Sequence, residues 1–197
     1  MRLFFIVIIF FLNFQSWIIA DDVSEFEIEG MSLRSSLLDH LSKKEINKID
    51  KIFTYRSKDA YQIVITNDIL KLETYDFLQL DLKANDSDYK IPLIAGVIEY
   101  ERKIEQCKLK KEQIVQEIMS EFPTLERNDT DKPHPFDKTN DSIVYQSYFF
   151  LNSGDVIGIE CEDWSKDLEK KFNYTDRLKV TLVSSEHNYW LVNKAHN

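Results

Sequence analysis

The sequence predicts an α+β fold: a mainly antiparallel sheet with a long central helix and short N-terminal helices packed on one face. Three observations support this prediction. Short segments rich in β-branched and aromatic residues recur with turn residues between them, as in antiparallel hairpins. Apolar residues recur at helical spacing from Tyr100 to Phe122. Leucines that share one helical face follow a turn at Gly30.

The first twenty residues are typical of an export signal. Met1 and Arg2 give a positively charged start, and a continuous apolar run follows. Ala20 supplies the small residue that cleavage requires. We therefore predict a signal peptide at 1–20, a single α+β domain at 21–197, and a periplasmic or secreted protein. The alternative is that residues 1–20 are retained as a membrane anchor, and only then do we expect a membrane partner.

Length and charge narrow the class of protein. A chain of 197 residues is long enough for one domain with a sizeable core. The formal net charge of −9 argues against a nucleic-acid partner, because neutralising phosphates requires clustered lysine and arginine. Glycine and proline are scarce, which favours a packed domain over a disordered segment.

The first half of the chain is predicted to alternate between short helices and strands. Ser42 and Glu45 have the spacing of a capping box, in which each side chain binds the backbone N–H of the other residue. Pro92 cannot donate a backbone hydrogen bond and places the first half of its strand at an edge or a bulge. The predicted elements are a strand at 26–28, helices at 32–41 and 42–50, a strand at 61–66 and a hairpin at 75–99.

The second half begins with the predicted long helix, Tyr100–Phe122, which Pro123 ends. A polar, proline-containing loop is expected at 124–142. A turn at 152–154 contains glycine and predicts a hairpin. The later predicted elements are strands at 143–151, 155–162 and 178–183 and helices at 164–172 and 185–192.

The two cysteines are the most informative pair in the sequence. Cys107 lies on the apolar face of the predicted helix, in line with Ile104. Cys161 shares a strand face with Ile159, since alternate residues of a strand point the same way. Both thiols are expected at the helix–sheet interface, and in an exported protein an even cysteine count favours a disulfide. The alternatives are two buried free thiols or one reactive thiol near a histidine.

The sequence signals for a catalytic or metal-binding site are weaker than the signal for a disulfide. A catalytic cysteine would need a histidine beside it, but no known local signature surrounds either cysteine. The acidic segment 128–141 contains His134 and could bind a hard cation, yet it lacks the glycine and glutamate of an EF-hand loop. Glu160 and Glu162 alternate with Cys161, so we expect them on a solvated strand face. We predict no catalytic, cofactor-binding or metal-binding residues. The available histidines are His40, His134, His187 and His196.

A resemblance extends over most of the mature chain. The segment FEIEGMSLRSSLLDHLSKKEI, residues 26–46, resembles the opening of an uncharacterised family of small exported proteins of marine alphaproteobacteria. Two later stretches are similar to the same group: IEQCKLKKEQIVQEI and IECEDWSKDLEKKFNYTDRLKVTLVSSEHNYWL. The resemblance implies bacterial export. It brings no known activity and no catalytic residues.

Two functions remain open at this point. The first is a non-enzymatic binding or interaction protein of the cell envelope, whose partner would be an envelope protein or a small ligand. It predicts a shallow aromatic patch or an open sheet edge, with exposed rings at Tyr145, Tyr148, Trp164 and Tyr174. The second is a periplasmic hydrolase with a site built from dispersed residues. It predicts a deep pocket in which His134 or His187 meets carboxylates or a hydroxyl.

Overall fold

The computed structural model describes residues 26–196. The predicted signal peptide therefore lies outside the described residues. A short 3-10 helix occupies Leu37–Asp39. The other elements, in chain order, are α1 (Lys43–Ile46), β1 (Ala60–Thr66), β2 (Phe77–Lys83), β3 (Leu93–Glu99), α2 (Ile104–Glu121), β4 (Arg127–Pro133), β5 (Ile143–Phe150), β6 (Val156–Asp163), α3 (Lys166–Phe172), β7 (Arg177–Val183) and α4 (Ser185–Asn193).

The strands form one seven-stranded sheet in the order β1-β2-β3-β7-β6-β5-β4. Every neighbouring pair is antiparallel. β1–β3 and β4–β6 are two meanders, each of which follows the chain. β7 is the last strand in sequence, and it lies between the two meanders. The sheet is completed only when β7 pairs with β3 on one side and β6 on the other.

The two faces of the sheet differ in chemistry. One face is apolar and forms the core with α2 and the N-terminal leucines. It presents every second residue of each strand, as the pleat requires. The opposite face is mixed and includes Asp81, Glu160, Glu162 and Lys179. The buried residues of the apolar face include Ile63, Ile65, Leu78, Leu80, Leu82, Ile94, Ile157, Ile159, Leu178 and Leu182.

The prediction of a long central helix is wrong. α2 has 18 residues and packs on β6 and β7 from outside the sheet. Its buried residues form a single stripe, whereas a helix at the centre of a fold is apolar all round. The segment 100–103 is a turn in which Glu101 and Arg102 have positive φ angles of 39° and 63°. The sheet is therefore the element around which the domain is built. The buried residues of α2 are Cys107, Lys111, Val115 and Ile118.

The predicted helix at 32–41 is also shorter than expected. Arg34 has a positive φ of 64°, which interrupts a right-handed helix, and only one 3-10 turn forms. Leu33, Leu37 and Leu41 are nevertheless buried, as their spacing indicated. The capping box of Ser42 and Glu45 is confirmed at the start of α1.

The segment 124–142 is not a continuous loop, because β4 lies within it. β4 pairs with β5 along its whole length and forms one edge of the sheet. Most of its residues are exposed, so no apolar alternation marks it in the sequence. Charged and proline residues are typical of edge strands, where they discourage pairing with another chain.

Among residues 26–196, no helix is long and apolar enough to cross a lipid bilayer.

Candidate functional site

The predicted disulfide between Cys107 and Cys161 is confirmed. The two Cα atoms are 6.0 Å apart, and both side chains are fully buried between α2 and β6. The bond joins positions 54 residues apart in sequence. Since the chain has only these two cysteines, neither the free-thiol alternative nor the reactive-thiol alternative applies in this structure.

A cleft lies at one end of the mixed face of the sheet. It lies between α4, the ends of β1 and β2, and the segment that leads into β3, and it has a volume of about 590 Å³. We call it the α4 cleft. Ala60, Ile91, Pro92 and Trp190 provide apolar lining, and His187 adds a polar group. The charged residues around it are Arg34, Asp59, Lys83, Asp86, Lys90, Glu186 and Lys194.

A buried hydrogen-bond network lies behind this cleft. Asp81 on β2 is fully buried, and its Oδ2 lies 2.8 Å from Nε2 of His187 on α4. The Tyr55 hydroxyl donates to the same oxygen at 2.6 Å. Burial, together with the nearby Asp81 charge, raises the pKa of Tyr55 above its ordinary value. The network joins β2, α4 and the segment before β1, and it fixes His187 against the sheet.

The position of α4 is set by its N-terminus. Ser184 is the N-cap, and its side-chain oxygen accepts the backbone N–H of His187. Asp155 accepts the N–H of Ser185 at 2.7 Å and two hydrogen bonds from the Arg34 guanidinium. Burial alone would raise the pKa of Asp155, but these hydrogen bonds outweigh it and hold that pKa below its usual range. The left-handed backbone at Arg34 thus places a charge that anchors α4.

Trp190 gives the cleft an aromatic surface. Its ring stacks on His187 with centroids 5.0 Å apart and an interplanar angle of 21°. Tyr55 packs edge-on against it at 5.0 Å. The indole Nε1 is buried and has no hydrogen-bond acceptor in the described part of the chain. A buried donor without a partner costs free energy.

The histidines of the sequence do not form one site. His187 lies at the α4 cleft, and His134 lies under a separate aromatic cluster next to β6. His40 follows the short 3-10 helix, and His196 lies near the C-terminal end beside Tyr55. Of the two histidines that the hydrolase hypothesis names, His187 is close to a carboxylate at hydrogen-bond distance, and His134 is 3.9 Å from one.

Two of the four aspartates in the acidic segment 128–141 are bound within the chain. Asp129 accepts hydrogen bonds from Arg127 and Ser147, and Asp137 accepts them from Thr139 and Ser142. Within residues 26–196, no group of three or more histidine, cysteine, aspartate or glutamate residues is arranged to hold a metal ion.

Five rings form a continuous aromatic row near α3. The expectation that Trp164 is exposed is wrong, because it is only 5% exposed and lies between His134 and Tyr174. The expectation holds for Tyr174, while Tyr145 and Tyr148 are half-buried. The rings of His134 and Tyr174 contact Trp164 at a tilt, with centroids 4.1 and 4.5 Å away, and help to cover it. The row runs Phe136, His134, Trp164, Tyr174 and Phe172.

The expectation that Glu162 lies on a solvated strand face is wrong. We expected it on a solvated face, but it is only 4% exposed and accepts a hydrogen bond from Arg177 on β7. The two residues are directly opposed in the β6–β7 register, so strand pairing brings the charges together. Glu160 is half-buried and accepts a hydrogen bond from Tyr148 at 2.9 Å.

Acidification from about pH 7 to about pH 5 is expected to destabilise the fold through His134. Its Nδ1 accepts the backbone N–H of Phe136, and burial lowers the pKa of this imidazole despite the nearby Glu162 carboxylate. The unfolded chain, with an ordinary histidine pKa of about 6.5, therefore binds the proton first as the pH falls. Urea unfolding at several pH values should show a smaller pH dependence in His134→Gln than in the parent. His196→Gln, at an exposed position, serves as the control and should keep the parent slope. An unchanged slope in His134→Gln would contradict this assignment.

Sequence reasoning missed Tyr55 and Asp81, which hold His187 in place. The signal that could have found Asp81 is its position in FLQLDLK, where an acid interrupts a strand rich in leucine. A buried carboxylate needs hydrogen-bond donors, so an aspartate inside an apolar strand indicates a polar partner from elsewhere in the chain. Nothing local in the sequence identifies that partner as residue 187.

Comparison of the chain with protein-family models, with curated proteins and with solved structures finds no match.

Proposed function

We propose that this protein is a non-enzymatic binding protein of the bacterial cell envelope and that it holds a small amphipathic molecule in the α4 cleft. The observation that carries the proposal is the cleft itself. Its volume of about 590 Å³ is within the range of small-molecule sites, which typically measure about 300–1,000 Å³. Apolar walls with a few polar groups around them are also typical of such sites.

The walls of the cleft come from elements that are held rigidly. Ile91 is fully buried, and Ala60 belongs to β1. His187 is 3% exposed and is fixed by Asp81, and the stack of Trp190 on His187 fixes the aromatic wall. A ligand would therefore meet a preformed surface and would not have to order these side chains on binding.

The proposed location is the periplasm or the extracellular space, reached with a signal peptide at 1–20. The disulfide supports this location, because such bonds form and persist in oxidising compartments and are rare in the cytosol. The apolar start of the chain supports export independently. The family of small exported marine alphaproteobacterial proteins remains the proposed relationship.

A rigid aromatic probe series tests the proposal. The probes are 2-naphthoate, 2-naphthylmethanol and 2-naphthylmethylammonium, which share one flat apolar body and differ in charge. In ¹H–¹⁵N NMR titrations, at least one probe should shift the indole Nε1–H signal of Trp190 and the amide signals of Ala60 and Ile91. The indole signal of Trp164, in the separate aromatic row, should stay in place. If no probe moves the Trp190 signal, the proposal is wrong.

A hydrolase is the second candidate, and one observation favours it. His187 lines the cleft and has a buried carboxylate at 2.8 Å, the arrangement that orients a general base. However, the one serine that lines the cleft, Ser184, uses its oxygen as the N-cap of α4. The hydrolase would therefore have to activate water. Hydrolysis of p-nitrophenyl acetate that disappears in His187→Gln, but not in the His196→Gln control, would favour this candidate over simple binding.

A further inference from the structure

Most of the positive side chains around the α4 cleft lack a carboxylate partner within the described part of the protein, whereas the negative side chains already have hydrogen-bond partners there. Four cationic and three anionic side chains line it. We infer that the ligand is an organic anion, a carboxylate or a similar group on a flat apolar body, held by three lysines. This inference rests on the proposed function, since it names the chemical class of the molecule in the same cleft.

The carboxylates of the cleft already have partners in the chain. Glu186 pairs with Arg34 at 2.9 Å. Asp86 accepts the backbone N–H groups of Asp88 and Lys90, both at 2.9 Å. Asp59 accepts the hydroxyl of Ser57. These anions therefore stabilise turns and an ion pair of the protein, and little of their hydrogen-bonding capacity is directed at a ligand.

Arg34 also has its hydrogen-bond partners within the protein. Its guanidinium donates to both carboxylate oxygens of Asp155, at 2.9 and 2.7 Å, and also to Glu186. Because two carboxylates already neutralise it, Arg34 anchors α4 and contributes little charge to the cleft.

The three lysines of the cleft, in contrast to Arg34, have no carboxylate partner among residues 26–196. Lys83 ends β2, Lys90 precedes β3, and Lys194 is the C-cap of α4, so three separate elements bring them to one cleft. Among residues 26–196, no carboxylate lies within 4.0 Å of any of these three amino groups. The Lys194 ammonium lies over the ring of Tyr189, 5.8 Å from its centroid, which leaves its charge unneutralised. All three lysines are exposed residues and can reorient toward a ligand, since a lysine stem has four flexible carbons.

The naphthyl series tests this inference through the order of affinities. We expect 2-naphthoate to bind about tenfold more tightly than 2-naphthylmethanol and more tightly still than 2-naphthylmethylammonium, as for several weak, partly exposed ion pairs acting together. Raising the salt from about 0.05 M to about 0.5 M should weaken 2-naphthoate and leave 2-naphthylmethanol nearly unchanged, because salt screens exposed charges.

Lysine variants identify the groups responsible. The triple variant Lys83→Gln, Lys90→Gln and Lys194→Gln should bind 2-naphthoate and 2-naphthylmethanol equally. The matched control removes three exposed lysines outside the cleft, in the triple variant Lys71→Gln, Lys138→Gln and Lys166→Gln, and should keep the preference.

The outcomes separate this inference from the proposed function. Equal binding of all three probes at the Trp190 signal would overturn the anion inference and leave the binding function standing. A preference for the cation would do the same. Absence of any binding would contradict both. A preference for 2-naphthoate that survives in the cleft lysine variant would also overturn the assignment to these lysines.

Discussion

Replacement of both cysteines by alanine is expected to lower the free energy of unfolding by about 4 kcal/mol, the value that the chain-entropy relation gives for a closed loop of this length. The bond joins positions 54 residues apart. This loop contains most of α2, all of β4 and β5, and most of β6. Without the bond, the unfolded chain regains the freedom that the loop closure removed. Urea unfolding of Cys107→Ala/Cys161→Ala against the parent measures the difference.

Two comparisons make this prediction specific. Reduction of the parent protein with dithiothreitol in the denaturant should give nearly the same loss as the double variant. The single variants should be no more stable than the double variant, because either substitution opens the loop. A loss below about 1 kcal/mol would show that the loop closure adds little to stability and would contradict the chain-entropy argument.

The second large effect is expected at Asp81. Asp81→Asn keeps the side-chain shape but removes the charge that His187 and Tyr55 bind. We expect this substitution to cost about 3 kcal/mol, because a neutral amide accepts hydrogen bonds more weakly than the buried carboxylate does. Thermal or urea unfolding of the variant measures this loss.

The control for Asp81 is Asp59→Asn. Asp59 also lines the α4 cleft, but it is exposed, so its substitution should change the free energy of unfolding by less than about 0.5 kcal/mol. The Asp81 variant should in addition broaden the Trp190 indole signal, since His187 supports that ring. If Asp81→Asn is as stable as Asp59→Asn, the buried network does not hold α4 on the sheet.

Local patterns explain which parts of the fold could be predicted. The capping box at Ser42 and the Gly154 hairpin depend on residues close in sequence, and both were predicted. The disulfide was predictable because the apolar face of a helix and one face of a strand can each be found by periodicity alone. α2 also has the predicted type and nearly the predicted limits, 104–121 in place of 100–122.

Other features depend on the tertiary arrangement. The place of β7 between two meanders cannot be found from any one strand. Without that pairing, the sequence favours the helix at 100–122 as the centre of the fold. β4 has an almost entirely polar sequence, and pairing with β5 makes it a strand. The cleft brings together Arg34, Lys83 and His187, which are far apart in the chain, so no local motif could predict it.

The exposed part of the aromatic row is the principal competing surface. Phe136 is 80% exposed and Phe172 is 51% exposed, and neither residue lines the α4 cleft. An apolar probe could bind there through its rings alone. Such binding would depend little on the charge of the probe, because ring stacking and apolar contact do not require an anion.

A crystal structure of the protein grown with 2-naphthoate is the most direct test of the central claim that the α4 cleft is the binding site. We predict the naphthyl ring against Trp190, between α4 and the end of β1, with the carboxylate directed toward Lys83, Lys90 or Lys194. Density for 2-naphthoate on the aromatic row at Phe136 and Phe172, with none in the α4 cleft, would contradict the claim.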